Sequence, residues 1–279
     1  PSAGAPAEHA GRTAGDAGAP AAGGAEHAAP GEPDGGAASR LAESAGVLEE
    51  AARLCEAHPA LAASAETLRG MARRLRGRRF TAALFGAFSA GKSSFANSLL
   101  GLDVLPVSPN PTTAAITLIV PPSPERPHGT AVIAMKTREA ALEDLARALA
   151  AVGANVPPSP SADVLLAAAR KAAEDEAGRP GGRAHLAYLR AAVRGFREAE
   201  PLFGTEFGTD LAGFREWAAE EAKSAFVERI TLHYESPLAR AGVSLVDTPG
   251  ADSFNARHTG EAFGYLKNAD AVFFVTYYN

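Results

Sequence analysis

Residues 84–95 read Leu84-Phe85-Gly86-Ala87-Phe88-Ser89-Ala90-Gly91-Lys92-Ser93-Ser94-Phe95, and this stretch decides the fold. Four residues separate Gly86 from Gly91, and Lys92-Ser93 follows at once, which completes the phosphate-loop pattern. The apolar run before the loop predicts a buried strand, and the amphipathic run after it predicts a helix. Backbone N–H groups of such a turn converge on an anion, and the helix N-terminus adds its positive end. The predicted nucleotide-binding residues of the loop are therefore Gly86, Ala87, Phe88, Ser89, Ala90, Gly91, Lys92, Ser93 and Ser94.

The overall composition excludes several classes of protein. A net charge of −5 over 279 residues argues against a nucleic-acid-binding surface, so no nucleic-acid partner is expected. The lone Cys55 excludes an intramolecular disulfide framework and favours a reducing compartment. No signal peptide is visible, and no apolar run reaches the ~20 residues that a membrane-spanning helix needs.

Composition divides the chain into three parts. Residues 1–38 contain no Leu, Ile, Val or aromatic residue, which predicts a disordered Ala/Gly/Pro-rich tail or linker. Residues 39–78 are predicted to form a helical neck or bundle segment, and residues 79–279 an α/β domain. Because residues 271–279 resemble a buried strand with nothing after it, we expect this domain to be C-terminally incomplete.

An apolar residue recurs at every seventh position of the helical segment, and Pro59 divides the series. Two interpretations stay open: a helix that covers the following domain, or part of a helical bundle whose other members lie elsewhere. The seam consists of Leu41, Leu48, Cys55, Leu61, Leu68 and Leu75.

The α/β domain contains a long helical insertion at residues 137–226, far longer than an ordinary connection. Its predicted helices span 138–151, 162–176, 183–199 and 210–226, and we expect them to line the side of the domain without a second core. Before it, residues 115–120 and 130–135 are predicted strands that could pair as a hairpin. After it come strands at 230–234 and 243–246. The order predicts a mostly parallel sheet with ligand loops at the carboxyl ends of its strands.

Two further segments carry residues suited to a nucleotide site. Asp247-Thr248-Pro249-Gly250 ends an apolar strand, where the carboxylate can hold Mg²⁺ and the Gly250 N–H can meet a γ-phosphate. Thr112 and Thr113 lead into the predicted strand at 115–120, and either hydroxyl could ligate Mg²⁺ and orient water; a simple turn is the alternative. The predicted metal ligands are Ser93, Thr113 and Asp247.

These segments together resemble the dynamin superfamily of large GTPases, specifically its bacterial dynamin-like members. The resemblance is carried by residues 86–101, 111–117 and 245–250, and by the run at 269–276. It implies a P-loop GTPase domain that hydrolyses GTP with Mg²⁺ and couples its dimerisation to membrane fission, fusion or tethering. It also implies a homodimer or a hetero-partner at the GTPase face, membrane contact through elements outside this fragment, and a cytoplasmic protein at the inner face of the cell membrane.

The resemblance assigns catalytic roles to Ser89, Lys92 and Thr113, with Thr112 as a possible substitute for Thr113. Phe88 departs from the pattern of eukaryotic dynamins, which have at this position a glutamine that orients the attacking water. The alternative function is therefore a nucleotide-gated scaffold or partner subunit with little hydrolysis of its own. The guanine-reading Lys-x-Asp motif is also absent where expected, since residues 267–270 have the wrong spacing, so guanine specificity rests on the family alone.

Overall fold

The computed structural model describes residues 35–87, 90–101, 103–106, 115–174, 182–250 and 263–276. Its strands are β1 (Phe80–Gly86), β2 (Ile116–Val120), β3 (Thr130–Met135), β4 (Glu206–Thr209), β5 (Val227–His233), β6 (Val243–Asp247) and β7 (Ala271–Val275). Within the described residues these strands form one sheet in the spatial order β4-β3-β5-β2-β6-β1-β7.

The half of the sheet that holds the phosphate loop is built on parallel pairing. β1 lies between β6 and β7 and is parallel to both, and β2 is parallel to β5. β2 pairs antiparallel with β6, and β3 lies between β4 and β5 and pairs antiparallel with both. The predicted α/β class is confirmed, and the carboxyl ends of β1 and β6 meet at one edge.

Helices flank this sheet and precede it. The helices are α1 (Gly35–Glu56), α2 (Ala62–Arg76), α3 (Lys92–Leu100), α4 (Arg138–Ala151), α5 (Ala162–Glu174), α6 (Arg183–Ala199), α7 (Leu211–Ala219), α8 (Glu221–Ser224) and α9 (Pro237–Arg240). Short 3₁₀ turns occupy Pro59–Leu61 and Glu200–Leu202, and residues 263–268 are also helical. Among the helices of the described residues, none combines the length and the apolarity needed to cross a membrane.

The prediction that β2 and β3 could pair as a hairpin is wrong, because β5 lies between these two strands. β5 carries Val227, Ile230 and Leu232, which are all fully buried. Such a strand is most stable in the interior of the sheet, and the 137–226 insertion returns the chain to that position. β2 and β3 therefore pair with opposite edges of β5.

The prediction of a single helix over 210–226 is also wrong in its extent, because α7 and α8 occupy this range as two separate helices. Asp210 caps the N-terminus of α7 by accepting a hydrogen bond from the Gly213 N–H at 2.9 Å. Glu220 then has an extended backbone, which separates α7 from α8. The short edge strand β4, just before α7, was not predicted.

α1 and α2 form a helical hairpin, and the predicted break at Pro59 is confirmed. Small residues occupy the contact between the two helices, while the leucines of the predicted seam are only partly buried or exposed. Small side chains let two helix backbones approach closely, so the helices meet on alanines and leave the leucines at the margins. The buried alanines are Ala45, Ala52, Ala65 and Ala72.

The insertion shares its core with the sheet, as expected. Leu145 of α4 and Phe196 of α6 belong to the same buried cluster as Ile133 of β3 and Ile230 of β5. Phe196 and Phe226 pack edge to face with ring centroids 5.8 Å apart. The insertion is therefore attached to the domain by its main hydrophobic core.

Candidate functional site

The phosphate-loop stretch begins where β1 ends. Gly86 has φ of 152°, and a Cβ atom there would lie 2.0 Å from the Val275 carbonyl oxygen of β7. Gly91 has φ of 91° and is the N-cap of α3. Both positions require glycine, the first for close backbone approach and the second for a left-handed conformation.

Lys92 is the first residue of α3 and is only 7% exposed. Its ammonium group donates hydrogen bonds to the Gly86 carbonyl oxygen at 3.1 Å and to the Ala87 carbonyl oxygen at 2.8 Å. The charge is therefore held over the loop at the carboxyl edge of the sheet. A buried cation held by neutral carbonyls is well suited to exchange them for an anion.

Ser93 and Asp247 meet although 154 positions separate them in the sequence. The Ser93 hydroxyl donates a 2.6 Å hydrogen bond to Asp247 Oδ2. The parallel register pairs Leu84 of β1 with Asp247 of β6, which brings the end of β6 beside the loop. The contact thus follows from strands that end at the same edge.

The Asp247 carboxyl is 6% exposed, and burial raises its pKa above the ordinary range. The hydrogen bond from Ser93 and the charge of Lys92 oppose this shift. Oδ1 of Asp247 is buried and has no hydrogen-bond partner among the described residues. The carboxylate is therefore incompletely satisfied at neutral pH.

Thr248 fixes the segment that follows Asp247. Its hydroxyl donates a 2.6 Å hydrogen bond to the Leu84 carbonyl oxygen, and the residue is 3% exposed. Gly250 is buried three positions after Asp247. Sequence reasoning assigned Thr248 no role, because its partner is a backbone atom of a distant strand.

A small pocket opens beside Ser93 and Asp247. Its wall is formed in part by residues on either side of 107–114, namely Leu105, Pro106, Ala115 and Thr117. The helical insertion adds Ala218 and Ser224. The insertion therefore contributes to the wall of the site, which the sequence did not predict.

Four predicted site residues lie outside the described residues: Phe88, Ser89, Thr112 and Thr113. The structure brings together Gly86, Ala87, Lys92, Ser93 and Asp247.

Asp270 belongs to residues 267–270, whose spacing does not match the guanine-reading Lys-x-Asp motif, and it lies away from the candidate nucleotide site. Its Oδ2 accepts a 2.8 Å hydrogen bond from the Thr81 N–H, near the start of β1 and at the opposite edge of the sheet from the loop. Its carboxylate also lies 3.8 Å from the Arg74 guanidinium. Asp270 ties β1 to α2 and does not face the candidate nucleotide site.

We expect Asp247→Asn to raise the stability of the nucleotide-free protein at neutral pH by roughly 1 kcal/mol, since a neutral amide keeps the Ser93 bond without burying a charge. The folded-state pKa is raised, so the folded parent binds its proton more tightly than the unfolded chain. The parent should therefore gain stability as the pH falls from that raised pKa toward about 3.9, and the difference between the two proteins should shrink. Urea unfolding at several pH values measures this.

The control for that comparison is Asp103→Asn, which changes an exposed carboxyl and should stay within about 0.5 kcal/mol of the parent. A less stable Asp247→Asn protein at neutral pH would contradict the electrostatic interpretation.

Comparison with known proteins gives the family. The sequence model of the dynamin family matches residues 82–279. Dynamin-like protein A of Bacillus subtilis (strain 168) is 37% identical over 213 residues, which are 75% of this chain and 17% of that protein. The chain thus spans about a sixth of the length of this relative.

Two solved chains also match part of this chain. Each comes from a study whose subject is an oligomerised bacterial dynamin pair that provides a mechanism for long-range sensing and tethering of membranes. Each is 16% identical, with a TM-score of 0.49, and the match covers 86% of this chain and 28% of the solved one. Because the family model matches most of this chain, from residue 82 to residue 279, the chain belongs to the dynamin family.

Proposed function

We propose that this protein is a dynamin-like GTPase that hydrolyses GTP with Mg²⁺ and couples dimerisation of its GTPase domains to membrane remodelling. The observation that carries the proposal is the 2.6 Å contact between Ser93 and Asp247 beside the Lys92 ammonium. Family membership supports GTP as the nucleotide.

Lys92 and the loop backbone bind the phosphates in this proposal. Lys92 exchanges its carbonyl partners, Gly86 and Ala87, for β- and γ-phosphate oxygens, which form stronger charge-assisted hydrogen bonds. The N-terminus of α3 adds the partial positive charge of its unsatisfied N–H groups.

The residues at the Ser93–Asp247 corner fit a magnesium ion. Ser93 Oγ and the Asp247 carboxylate are hard oxygen donors, and the buried Oδ1 of Asp247 accepts no hydrogen bond from the described residues. Magnesium, when bound, neutralises negative charge on the phosphoryl group during transfer. Ser93 and Asp247 would hold it, and Gly250 would offer its N–H to the γ-phosphate.

Thr113, or Thr112 in its place, completes the site from residues 107–114. Pro106 and Ala115, on either side of that segment, both line the pocket beside Ser93 and Asp247. A fully extended chain spans at most ~3.6 Å per residue, so the Cα atom of Thr113 can be no more than about 7 Å from that of Ala115. A threonine hydroxyl and carbonyl at the corner would hold the attacking water for in-line displacement.

Ser89 helps to stabilise transition-state charge in this assignment, whereas the Phe88 side chain cannot hold water by a hydrogen bond. Either Thr113 and backbone carbonyl groups hold the attacking water in its place, or turnover by a single molecule is slow. The second candidate, a nucleotide-gated scaffold with little hydrolysis, rests on this same Phe88.

Phosphate release by the full-length protein, measured against protein concentration with and without liposomes, separates the two candidates. If dimerisation completes the site, turnover per molecule should rise in proportion to protein concentration below the dimer dissociation constant, and liposomes should increase it further. A low turnover that stays constant over the whole range, with GTP still bound, would favour the scaffold and contradict the dimer-activated GTPase.

Location and partners follow from the same proposal. The protein acts in the cytoplasm at the inner face of the cell membrane, through a homodimer or a hetero-partner at the GTPase face. We place the membrane-contacting element outside the described residues.

A further inference from the structure

Asn97 is a buried polar residue on α3 to which sequence reasoning gave no role. It is 4% exposed. Its Nδ2 group donates to the Leu105 carbonyl oxygen at 2.9 Å, and its Oδ1 accepts from the Val104 N–H at 3.1 Å and the Leu105 N–H at 2.8 Å. The side chain thus binds the backbone of the segment that leads to residue 107.

These three bonds demand an asparagine. The amide pairs with both the N–H and the C=O of Leu105, as a neighbouring strand would, and takes the Val104 N–H as well. Ionised aspartate has no donor for the Leu105 carbonyl, and alanine has no polar group at all. Each loss leaves a buried backbone group without its partner, which is costly.

The position of Asn97 on α3 links it to the nucleotide site. Ser93 and Asn97 are four residues apart on a helix and therefore share a face. Ser93 contacts Asp247 and Asn97 binds Leu105, so one helix face holds both segments. The helix itself begins at Lys92.

The segment held by Asn97 enters the site directly. Val104 and Leu105 are 3% and 4% exposed and belong to the main core, while Leu105 and Pro106 line the pocket beside Ser93 and Asp247. Asn97 and the core therefore fix the chain immediately before residues 107–114.

We propose that Asn97 is a positioning residue for hydrolysis: it holds Val104 and Leu105 against α3 and so fixes the chain immediately before residues 107–114, the segment in which the proposed function assigns roles to Thr112 and Thr113. The inference deepens the proposed function and rests on it. Asn97 does not itself line the pocket beside Ser93 and Asp247, so its loss should affect catalysis more than nucleotide binding. A displacement of about 1 Å at a catalytic group can cost on the order of 100-fold in rate.

The test compares Asn97→Ala with Ser236→Ala in the full-length protein. Ser236 is a matched control, because it is 3% exposed, its hydroxyl accepts a 3.1 Å bond from the Ala239 N–H at the start of α9, and it does not line the pocket beside Ser93 and Asp247. We expect Asn97→Ala to lower kcat for GTP by roughly 10- to 100-fold while the dissociation constant for a fluorescent GTP analogue changes less than about threefold. Equal losses in kcat and affinity, or a kcat loss no larger than that of Ser236→Ala, would overturn the proposal.

Asn97→Asp provides a second variant that retains most of the side chain. When protonated, the carboxyl group of this variant offers one donor and an acceptor, as the amide does, whereas its ionised form has lost the donor to Leu105. The ratio of its kcat to that of the parent should therefore increase as the pH is lowered. A ratio that is independent of pH would contradict the donor role.

Hydrogen exchange keeps this inference distinguishable from the proposed function. Non-hydrolysable GTP with Mg²⁺ should protect residues 103–115 in the parent and in Ser236→Ala but not in Asn97→Ala, with equal protection of residues 84–94 in all three. If the parent binds this nucleotide without hydrolysing GTP, the proposed GTPase activity is wrong, but the exchange pattern still tests whether Asn97 positions the segment. Equal protection of residues 103–115 in all three proteins, or its absence in the parent, would refute the positioning role.

Discussion

Lys92→Ala should abolish measurable GTP binding and lower kcat/KM by on the order of 10³-fold, about 4 kcal/mol of transition-state stabilisation. The ammonium is the only described charge that bonds to the loop itself, through the Gly86 and Ala87 carbonyl oxygens. Its described neighbours Ser93 and Asp247 cannot replace it, because Ser93 is neutral and Asp247 is acidic. Titration with a fluorescent GTP analogue and steady-state phosphate release measure both losses.

A suitable control is Lys171→Ala, which removes the same charge from an exposed position on α5. It should leave binding and turnover unchanged. If the Lys92→Ala protein hydrolysed GTP as fast as the parent, the site would be wrongly assigned.

Lys136→Met should destabilise the fold by about 3–5 kcal/mol, the usual cost of breaking a buried ion pair from one side. Lys136 is 2% exposed, and its ammonium donates to Asp144 Oδ2 at 2.9 Å and to the Ala225 carbonyl oxygen at 2.8 Å. The substitution would leave the Asp144 carboxylate buried, with the Arg147 guanidinium 3.6 Å away as partial compensation. Urea unfolding gives the change in free energy.

Two further variants make that measurement specific. Lys136→Met combined with Asp144→Leu removes both charges and should recover most of the lost stability. Arg138→Ala removes an exposed partner of Glu200 and should cost less than about 1 kcal/mol. If Lys136→Met cost no more than Arg138→Ala, the buried pair would not be holding β3 to α4 and to the turn after α8.

The phosphate loop and its meeting with Asp247 could be predicted because both depend on local signals. Glycine spacing and the Lys92-Ser93 pair identify the loop, and an apolar strand that ends in Asp247 identifies its neighbour. Parallel strands with ligand loops at their carboxyl ends then bring the two together without further information.

The neighbours of β5 could not be predicted in the same way. Which strand lies beside β2 depends on where the insertion returns the chain, and local pattern carries no signal for that. β4 was missed because four residues at a sheet edge, Glu206–Thr209, show little periodicity. The alanine contact of α1 and α2 was obscured because leucine dominates any apolar pattern.

Asn97 and Lys136 were missed for a common physical reason. Both are polar residues whose burial is stabilised by backbone carbonyl groups outside their own helix or strand, those of Leu105 and Ala225. A sequence shows the side chain but not the position of such partners. The four-residue spacing from Ser93 to Asn97 was the one available hint that the two residues share a helix face.

The most direct test of the central claim is GTP hydrolysis by the full-length protein, assayed with Mg²⁺ and with the metal removed by EDTA. Lys92, Ser93 and Asp247 form one site in this account, so phosphate release should require Mg²⁺ and should cease when it is chelated. Phosphate release at the same rate in EDTA, or none with Mg²⁺ at any protein concentration, would contradict it.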